Sequence, residues 1–392
     1  MTLRTLIFWP HLIAAVVAGS VILLMSVTGV LLTYERQMIA WSDSEFRSLP
    51  PADGGTPLSV ESLLATLHRE RPDLEATALT LASDPEAPVQ VTAGRTTVYA
   101  DAYTGRLIGE ASQGMRRFMS GLRAWHRWLA VEGEGRSVAR AVTGWSNAIF
   151  LFIVASGFYL WFPRKWRWTS VRPVVLFNGK LRGKARDFNW HNVIGLWSAV
   201  PLFIVVLTAM PISFPWANAL VYRAVGEAPP AQGGRGGREG GPREGDPVRT
   251  RPSTAGLDLL WATAERQVPG WRTISVRIPA SSRAPLVFAI DAGDGGQPQL
   301  RSTLTVDRDT GAVMSYEAFS DQSLGRRLRS ISRFAHTGEV LGWPGQTIAG
   351  LVTAGSVVLV WTGIALTLRR FRAWLGRRAR ETESDVRRTT AA

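Results

Sequence analysis

Histidine is the residue in this chain best suited to do chemistry, because it is scarce and specifically placed. Only five occur in 392 residues, and four of them, His11, His126, His191 and His336, lie near the ends of long apolar runs. Two stretches show the setting: "WHRWL" at 125–129 and "RFAHTGEVLGW" at 333–343. Neutral imidazoles facing one another across a helix bundle suit the axial positions of a haem iron, and the same nitrogens also serve copper or zinc. Three features favour haem. Arg123 and Arg333 each stand three residues before a histidine, on its helical face, where a guanidinium can pair with a propionate. The His11 and His191 pair is read as having no Asp or Glu at helical spacing, and Trp9, Trp190 and Trp197 flank it, which suits a flat apolar macrocycle. Small residues along the runs (Gly19, Gly29, Gly157, Gly195, Gly350, Gly355, Gly363) permit close approach of a helix or a porphyrin. His68, in the charged stretch "LHRERPD", is read as an exposed helix residue.

The elements that must hold these histidines are membrane helices. Four apolar windows are long enough for a hydrocarbon core of about 30 Å, which takes roughly 20 helical residues. The chain divides accordingly: a first transmembrane helix within 1–34, a module with a pre-membrane helix over 35–140, and a second span at 141–163. A basic loop follows at 164–190, then a third span at 191–213. A second module covers 214–346 with a Gly/Arg-rich linker at 226–247, and a fourth span at 347–368 leads into a basic tail at 369–392. The first run, Leu12 to Tyr34, is longer than the roughly 7–15 residues of a signal-peptide core, and no A-x-A site follows; it reads as a retained helix.

Charge orients the chain. The net charge of +14 sits largely beside the spans: eight Lys/Arg against one Asp in 164–190, and eight Arg from Arg369 onward. Basic flanks of this kind mark the cytoplasmic side and lipid headgroups, not nucleic acid. Both termini are then inside and both modules outside. His11 and His191 pair at the inner face, His126 and His336 at the outer. With no cysteine, disulfides, thiolate-ligated iron–sulfur clusters and covalent CxxCH haem are excluded. No dinucleotide or flavin fingerprint occurs; the glycines of 226–247 follow no strand and lack GK[ST].

The halves resemble one another. "RRFMSGLRAWH" (116–126) aligns with "RRLRSISRFAH" (326–336), and "VYADAYTGRLIGE" (98–110) echoes "LTVDRDTGAVMSYE" (304–317). Gly144 and Gly157 share a spacing of thirteen with Gly350 and Gly363; His11–Thr28 and His191–Thr208 share seventeen. The repeated unit is helix, α+β module, helix. In the modules, "SVESLLATLHRERPD" (59–73) reads as a helix capped by Ser59, and each D-x-x-T-G as a hairpin or strand-end turn.

These residues carry a family resemblance. "WHRWLAVEGEGRSVARAVTGWSNAIFLFIVASGFYLWFPRKW" (125–166) and "HTGEVLGWPGQTIAGLVTAGSVVLVWTGIALTLRR" (336–370) resemble the PepSY-associated transmembrane-helix proteins of bacteria, as do "FWPHLIAAVVAGSVILLMSVTGVLLTYE" and "FNWHNVIGLWS". The resemblance implies a multi-pass inner-membrane protein with four transmembrane helices and two periplasmic PepSY-like modules. It also implies b-type haem on His11, His191, His126 and His336, two haems of bis-histidine type, as in bacterial ferric-siderophore reductases. The implied activity is reduction of a ferric siderophore in the periplasm, releasing ferrous iron for uptake, with electrons from membrane quinol or a cytoplasmic reductase and iron-uptake proteins as periplasmic partners. Arg116, Arg117, Trp125, Trp128, Arg326, Arg327 and Arg329 are the expected docking residues. Two other readings stand beside it: a haem-bearing electron-transfer subunit for another periplasmic redox enzyme, and a non-redox PepSY interaction protein acting on peptidases. Three departures from the pattern stand out. His126–Gly144 is four residues longer than His336–Gly350, the 226–247 linker is an insertion, and Ala209 stands where the first half has Gly29.

Overall fold

The computed structural model describes residues 2–94, 96–163, 165–230, 254–279 and 284–390. Among them the helices in chain order are α1 Leu3–Leu32, α2 Glu35–Ser42, α3 Val60–Glu70, α4 Gln113–Trp128, α5 Arg136–Trp161, α6 Trp168–Val175, α7 Gly183–Ser213, α8 Pro215–Arg223, α9 Leu257–Gln267, α10 Leu324–His336 and α11 Gly342–Thr390. The strands are β1 Ala78–Ala82, β2 Val89–Ala93, β3 Thr96–Ala100, β4 Leu107–Glu110, β5 Thr273–Arg277, β6 Leu286–Asp291, β7 Arg301–Val306 and β8 Val313–Ala318. Beyond Pro230, the Gly/Arg-rich linker lies outside the described residues. The chain forms two compact units: Met1–Tyr34, Met119–Asn218 and Ala335–Ala392 make one, Glu35–Phe118 and Ala219–Phe334 the other.

The first unit is a helix bundle. Four of its helical segments, Leu3–Leu32, Gly133–Trp161, Gly183–Ser213 and Glu339–Arg378, are long and apolar enough to cross a membrane. α1 packs on α5 and α11, and α7 packs on the same two, so α1 and α7 are diagonal. Small residues let the backbones approach: a side chain on Gly350 would meet Thr33, and one on Gly355 would meet Ile194 and Ser198. Polar side chains tie the helices together where no water can serve them. Asn147 Nδ2 donates to Val206 O at 3.2 Å, and Ser356 Oγ lies 2.8 Å from Ser26 Oγ. The tail from Arg369 is no separate segment; it continues α11.

The second unit is α+β. The expected pair of modules shares a single eight-stranded antiparallel sheet of order β4-β3-β2-β1-β5-β6-β7-β8. The join is β1 against β5, with Leu79 opposite Val276 and Leu81 opposite Ile274. Period-2 alternation puts Leu79, Val91, Val98, Ile274, Phe288 and Leu304 on one face, all fully buried. Leu63, Leu64 and Leu67 of α3 and Leu257, Leu260 and Trp261 of α9 join them in one core. Ser59 caps α3, its Oγ accepting from Ser62 N. The two helix starts also exchange caps: Glu61 N donates to Asp258 Oδ1 at 2.9 Å and Asp258 N to Glu61 Oε1 at 3.3 Å.

Each D-x-x-T-G forms the same turn. Asp101 Oδ1 accepts from Tyr103 N and Thr104 N, and Asp307 Oδ1 from Asp309 N and Thr310 N. Gly105 and Gly311 follow with φ of +70° each, a conformation open to glycine at no steric cost. An acidic side chain seats each following helix. Asp43 Oδ1 accepts from Ser112 N ahead of α4, and Glu227 accepts from Ser323 Oγ and Gly325 N at α10.

These carboxylates make the unit acid-sensitive. Burial alone would raise the Asp43 carboxyl, but Arg116 at 2.7 Å, Ser112 N–H and the Tyr99 hydroxyl together hold it below the ordinary aspartate range. Hydrogen bonds hold Asp307 and Glu227 low as well. A carboxyl depressed in the folded state stabilises above its unfolded value of about 4 and loses that contribution as pH falls through its folded value. The denaturant midpoint of the purified full chain, followed by tryptophan fluorescence, is therefore expected to drop steeply below about pH 4. Asp43→Asn should flatten part of that drop; an unchanged profile would show that Asp43 contributes none of it.

Candidate functional site

Both histidine pairs lie in the bundle unit. His126 closes the last turn of α4 and His336 ends α10; their ring centroids are 6.3 Å apart with planes at 46°. His11 lies near the start of α1 and His191 near the start of α7. Thr28, which holds His126, is seventeen residues beyond His11 on α1, so the two levels are about 25 Å apart along the bundle. His68 is exposed in the last turn of α3, apart from both pairs.

Every one of the four has its Nδ1 engaged by a neighbouring helix. His11 Nδ1 meets Ser156 Oγ of α5 at 2.8 Å, His191 meets Thr362 Oγ1 of α11 at 3.0 Å, and His126 meets Thr28 Oγ1 of α1 at 3.0 Å. Each of these hydroxyls donates its single proton to a carbonyl one turn back: Ser156 to Phe152 O, Thr362 to Val358 O, Thr28 to Leu24 O. Its oxygen is thus left to accept, and the imidazole Nδ1 must be the donor. His336 Nδ1 donates directly to Val205 O at 2.8 Å, the carbonyl that Thr208 Oγ1 also reaches. All four rings therefore carry the proton on Nδ1 and leave Nε2 as a free lone pair, the arrangement that orients an imidazole ligand. Desolvation, and then the neighbouring His336, lowers His126 to about 4, and desolvation lowers His336. Both are neutral at ordinary pH.

Glycine makes room beside three of the rings. A Cβ on Gly157, Gly29 or Gly363 would stand 3.2, 3.4 or 3.5 Å from Cε1 of His11, His126 or His191. Each follows the hydroxyl residue that holds the ring, giving Ser156-Gly157, Thr28-Gly29 and Thr362-Gly363. The fourth place is Thr208-Ala209, and there the histidine turns to a backbone carbonyl instead. Gly19, Gly195, Gly350 and Gly355 meet ordinary helix side chains, so the expected close approach divides between rings and packing. The helix after His126 ends on two non-glycine residues in left-handed conformation, Leu129 and Ala130, both at φ 54°. Such residues are held by their surroundings at a cost of about 1–2 kcal/mol each. Thr143 Oγ1 donates to Arg127 O at 2.8 Å and fixes this end to α5. The shorter second connection has Gly338 and Gly342 at positive φ instead.

One of the pairs has the spacing that two imidazoles on a single metal would need. A metal–imidazole bond of about 2 Å, plus about 1 Å from Nε2 to the ring centre, would set two imidazole centroids on opposite sides of one metal about 6 Å apart; His126 and His336 are 6.3 Å apart. A cleft of 470 Å³ is lined by Leu23, Val27, Arg186, Asp187, Trp190, Val357, Val358, Trp361 and Thr362, and neither His11 nor His191 is among its lining residues.

The arginine and tryptophan expectations divide. Arg123 and Arg333 are exposed, each one turn before its histidine, and Arg333 lies over Phe334 at 5.4 Å. Trp190 lines the cleft; Trp197 is exposed and donates to Val175 O, and Trp9 lies under Arg370 at 5.0 Å. The expectation that no carboxylate lies at helical spacing from His11 or His191 is corrected. Asp187, one turn before His191, is 2% exposed and joined to Arg186 and Arg369 at 2.9 Å each. Of the expected docking residues, Arg116 is committed to Asp43 and Arg326 to Glu317. Trp128 lies against Arg127 and Arg136, with centroid distances of 5.2 and 4.0 Å. The hydroxyl partners Ser156, Thr362 and Thr28 were not anticipated; their signal is a Ser/Thr-Gly dipeptide recurring in apolar helices.

Comparison with curated proteins finds no match to this chain. The family description of a PepSY-associated TM region matches residues 8–370, nearly the whole chain. With four helices able to span a bilayer, the protein is a multi-pass membrane protein, and it belongs to the PepSY-associated TM region family.

Proposed function

We infer that the protein is a transmembrane reductase. It holds two b-type haems by bis-histidine ligation, His11 with His191 and His126 with His336, and it delivers electrons to a periplasmic ferric siderophore. The observation that carries this reading is the common state of the four imidazoles: each donates through Nδ1 to a neighbouring helix and keeps Nε2 for a ligand bond. Two protein ligands are too few for zinc, which takes three or four. A macrocycle with four nitrogens of its own needs only the axial two. Bound haem would supply one-electron transfer. The chain's own residues orient the ligands, keep water from them with apolar helices, and place the two sites at different depths.

Basic segments beside the spans support cytoplasmic termini and a periplasmic sheet unit within a bacterial inner membrane. The matched turns, the matched carboxylate seats of α4 and α10, and the matched hydroxyl–Gly pairs support an internal duplication of helix, PepSY-like module and helix. Reduction of the ferric substrate weakens its hold by hard oxygen donors and releases ferrous iron. Electrons enter from membrane quinol or a cytoplasmic reductase.

The test is a reduced-minus-oxidised visible spectrum of the detergent-purified chain with haem quantified. Low-spin b-type bands at about two haems per chain, followed by ferric-hydroxamate reduction by the pre-reduced protein alone, are the expected results. A protein that stays haem-free under ample haem supply sinks the redox reading. A haem-loaded protein that does not reduce the chelate is an electron-transfer subunit for another enzyme.

A further inference from the structure

The 470 Å³ cleft of the bundle unit runs along α11 and reaches neither His11 nor His191. Its apolar wall is Leu23 and Val27 of α1 with Val357, Val358 and Trp361 of α11; its polar end is Arg186 and Asp187 of α7, beside Trp190. Val27, Trp361 and Trp190 are exposed, so the groove opens at the surface of the bundle. The three helices are long and apolar enough to cross a membrane. What bathes an apolar groove on their outer surface is therefore hydrocarbon.

The polar end carries a net positive charge. Asp187 accepts from Arg186 Nε at 3.1 Å and Nη2 at 2.9 Å on one carboxylate oxygen, and the other lies 2.9 Å from Arg369 Nη2. Two guanidinium groups thus share one carboxylate. The carboxylate side chain is 3% exposed, the arginine side chains 45% and 38%. The anion is turned inward and the cations remain reachable from outside. The length fits one leaflet. Val357 stands twelve residues before Arg369 on α11, about 18 Å along the helix, and half of a hydrocarbon core is about 15 Å. The first half lacks this charge: Ile7 stands four residues before His11, where Asp187 stands four before His191, and Arg4 donates to the carbonyls of Phe162 and Leu160.

We propose that the groove binds an anionic phospholipid. One acyl chain lies along Val357, Val358 and Leu23, and the phosphate sits on the exposed faces of Arg186 and Arg369, which Asp187 holds at headgroup level. A zwitterionic lipid brings its own cation to the cluster and a quinone brings no charge, so neither answers the net charge there. The site does not depend on what the histidines hold.

The test is native mass spectrometry of the detergent-purified full chain, delipidated and titrated with phosphatidylglycerol or with phosphatidylcholine of the same acyl chains. Wild type is expected to retain one phosphatidylglycerol with a preference of about fivefold or more, which is what one arginine near a lipid phosphate contributes. Arg186→Gln should bring the preference close to one, and Arg186→Lys should keep most of it. Val358→Trp fills the groove while leaving the cations in place, and should weaken retention by a similar factor. In wild type the thermal midpoint should rise with phosphatidylglycerol and stay level with phosphatidylcholine. Equal retention of the two lipids by wild type overturns the proposal, and so does retention that both Arg186→Gln and Val358→Trp leave unchanged. Inorganic phosphate that reproduces the thermal shift by itself would reduce the site to the arginine pair and overturn the groove. Displacement of the lipid by a quinone, insensitive to Arg186→Gln, would assign the groove to quinone instead.

Discussion

Replacing His126 or His336 by alanine should reduce haem content from about two per chain to about one, and the double replacement should do no worse. This follows from same-level pairing: the two rings are 6.3 Å apart, whereas His11 sits at the other end of α1. An axial ligand contributes more than its outer partner, whose loss typically costs 10–100-fold in metal affinity, so the single change is expected to empty the site. Ferric-chelate reduction should fall by at least about a hundredfold, because the remaining haem is stranded at the far level. His11→Ala or His191→Ala should remove the other haem and leave distinguishable spectra. His68→Ala, on an exposed helix turn, should change nothing. Haem quantification and low-temperature spectra decide it. Loss of both haems from either single variant at the His126 level, in a protein that still elutes as a monodisperse species, would break the pairing.

Gly157→Val should weaken haem at the His11 site by roughly 10–100-fold while Gly19→Ala leaves it intact, although both glycines lie in apolar helices. A Cβ at 157 would be 3.2 Å from Cε1 of His11, whereas at 19 the nearest atom is Val360 Cγ1 at 3.9 Å. Valine adds two further carbons against a ring already fixed by Ser156, and overpacking of this kind costs about 1–3 kcal/mol, or roughly 10–100-fold in affinity. Alanine at 19 meets only ordinary contact and gains helix propensity worth about 0.5–1 kcal/mol. Haem titration of the two variants, with thermal stability as a control, separates them. Equal haem binding by both would show that Gly157 serves only helix packing.

Much of this was legible in the sequence because it depends on near neighbours. Four long apolar runs fix four membrane helices, since a bilayer core leaves the backbone no partner but itself. Ser59 caps α3 and Asp101 and Asp307 close their turns through atoms two or three residues away. The scarcity and placement of His11, His126, His191 and His336 followed from counting alone.

The tertiary structure decided what depends on helix rotation and on strand pairing across the chain. That the two modules share one sheet rests on β1 meeting β5, strands almost two hundred residues apart, and strand edges carry no label of their partner. Which hydroxyl holds which imidazole depends on the rotational phase of two helices packed together: Ser156 reaches His11 across 145 positions, and Thr362 reaches His191 across 171. Asp187 looked like one acid in a basic loop, and Arg369 like the first residue of a basic tail. Only the packing of α11 on α7 brings the Arg369 guanidinium to 2.9 Å from the buried Asp187 carboxylate. Local patterns specify the elements because backbone geometry repeats every few residues; side-chain partners are chosen by which faces meet, and that is settled only when the whole chain packs.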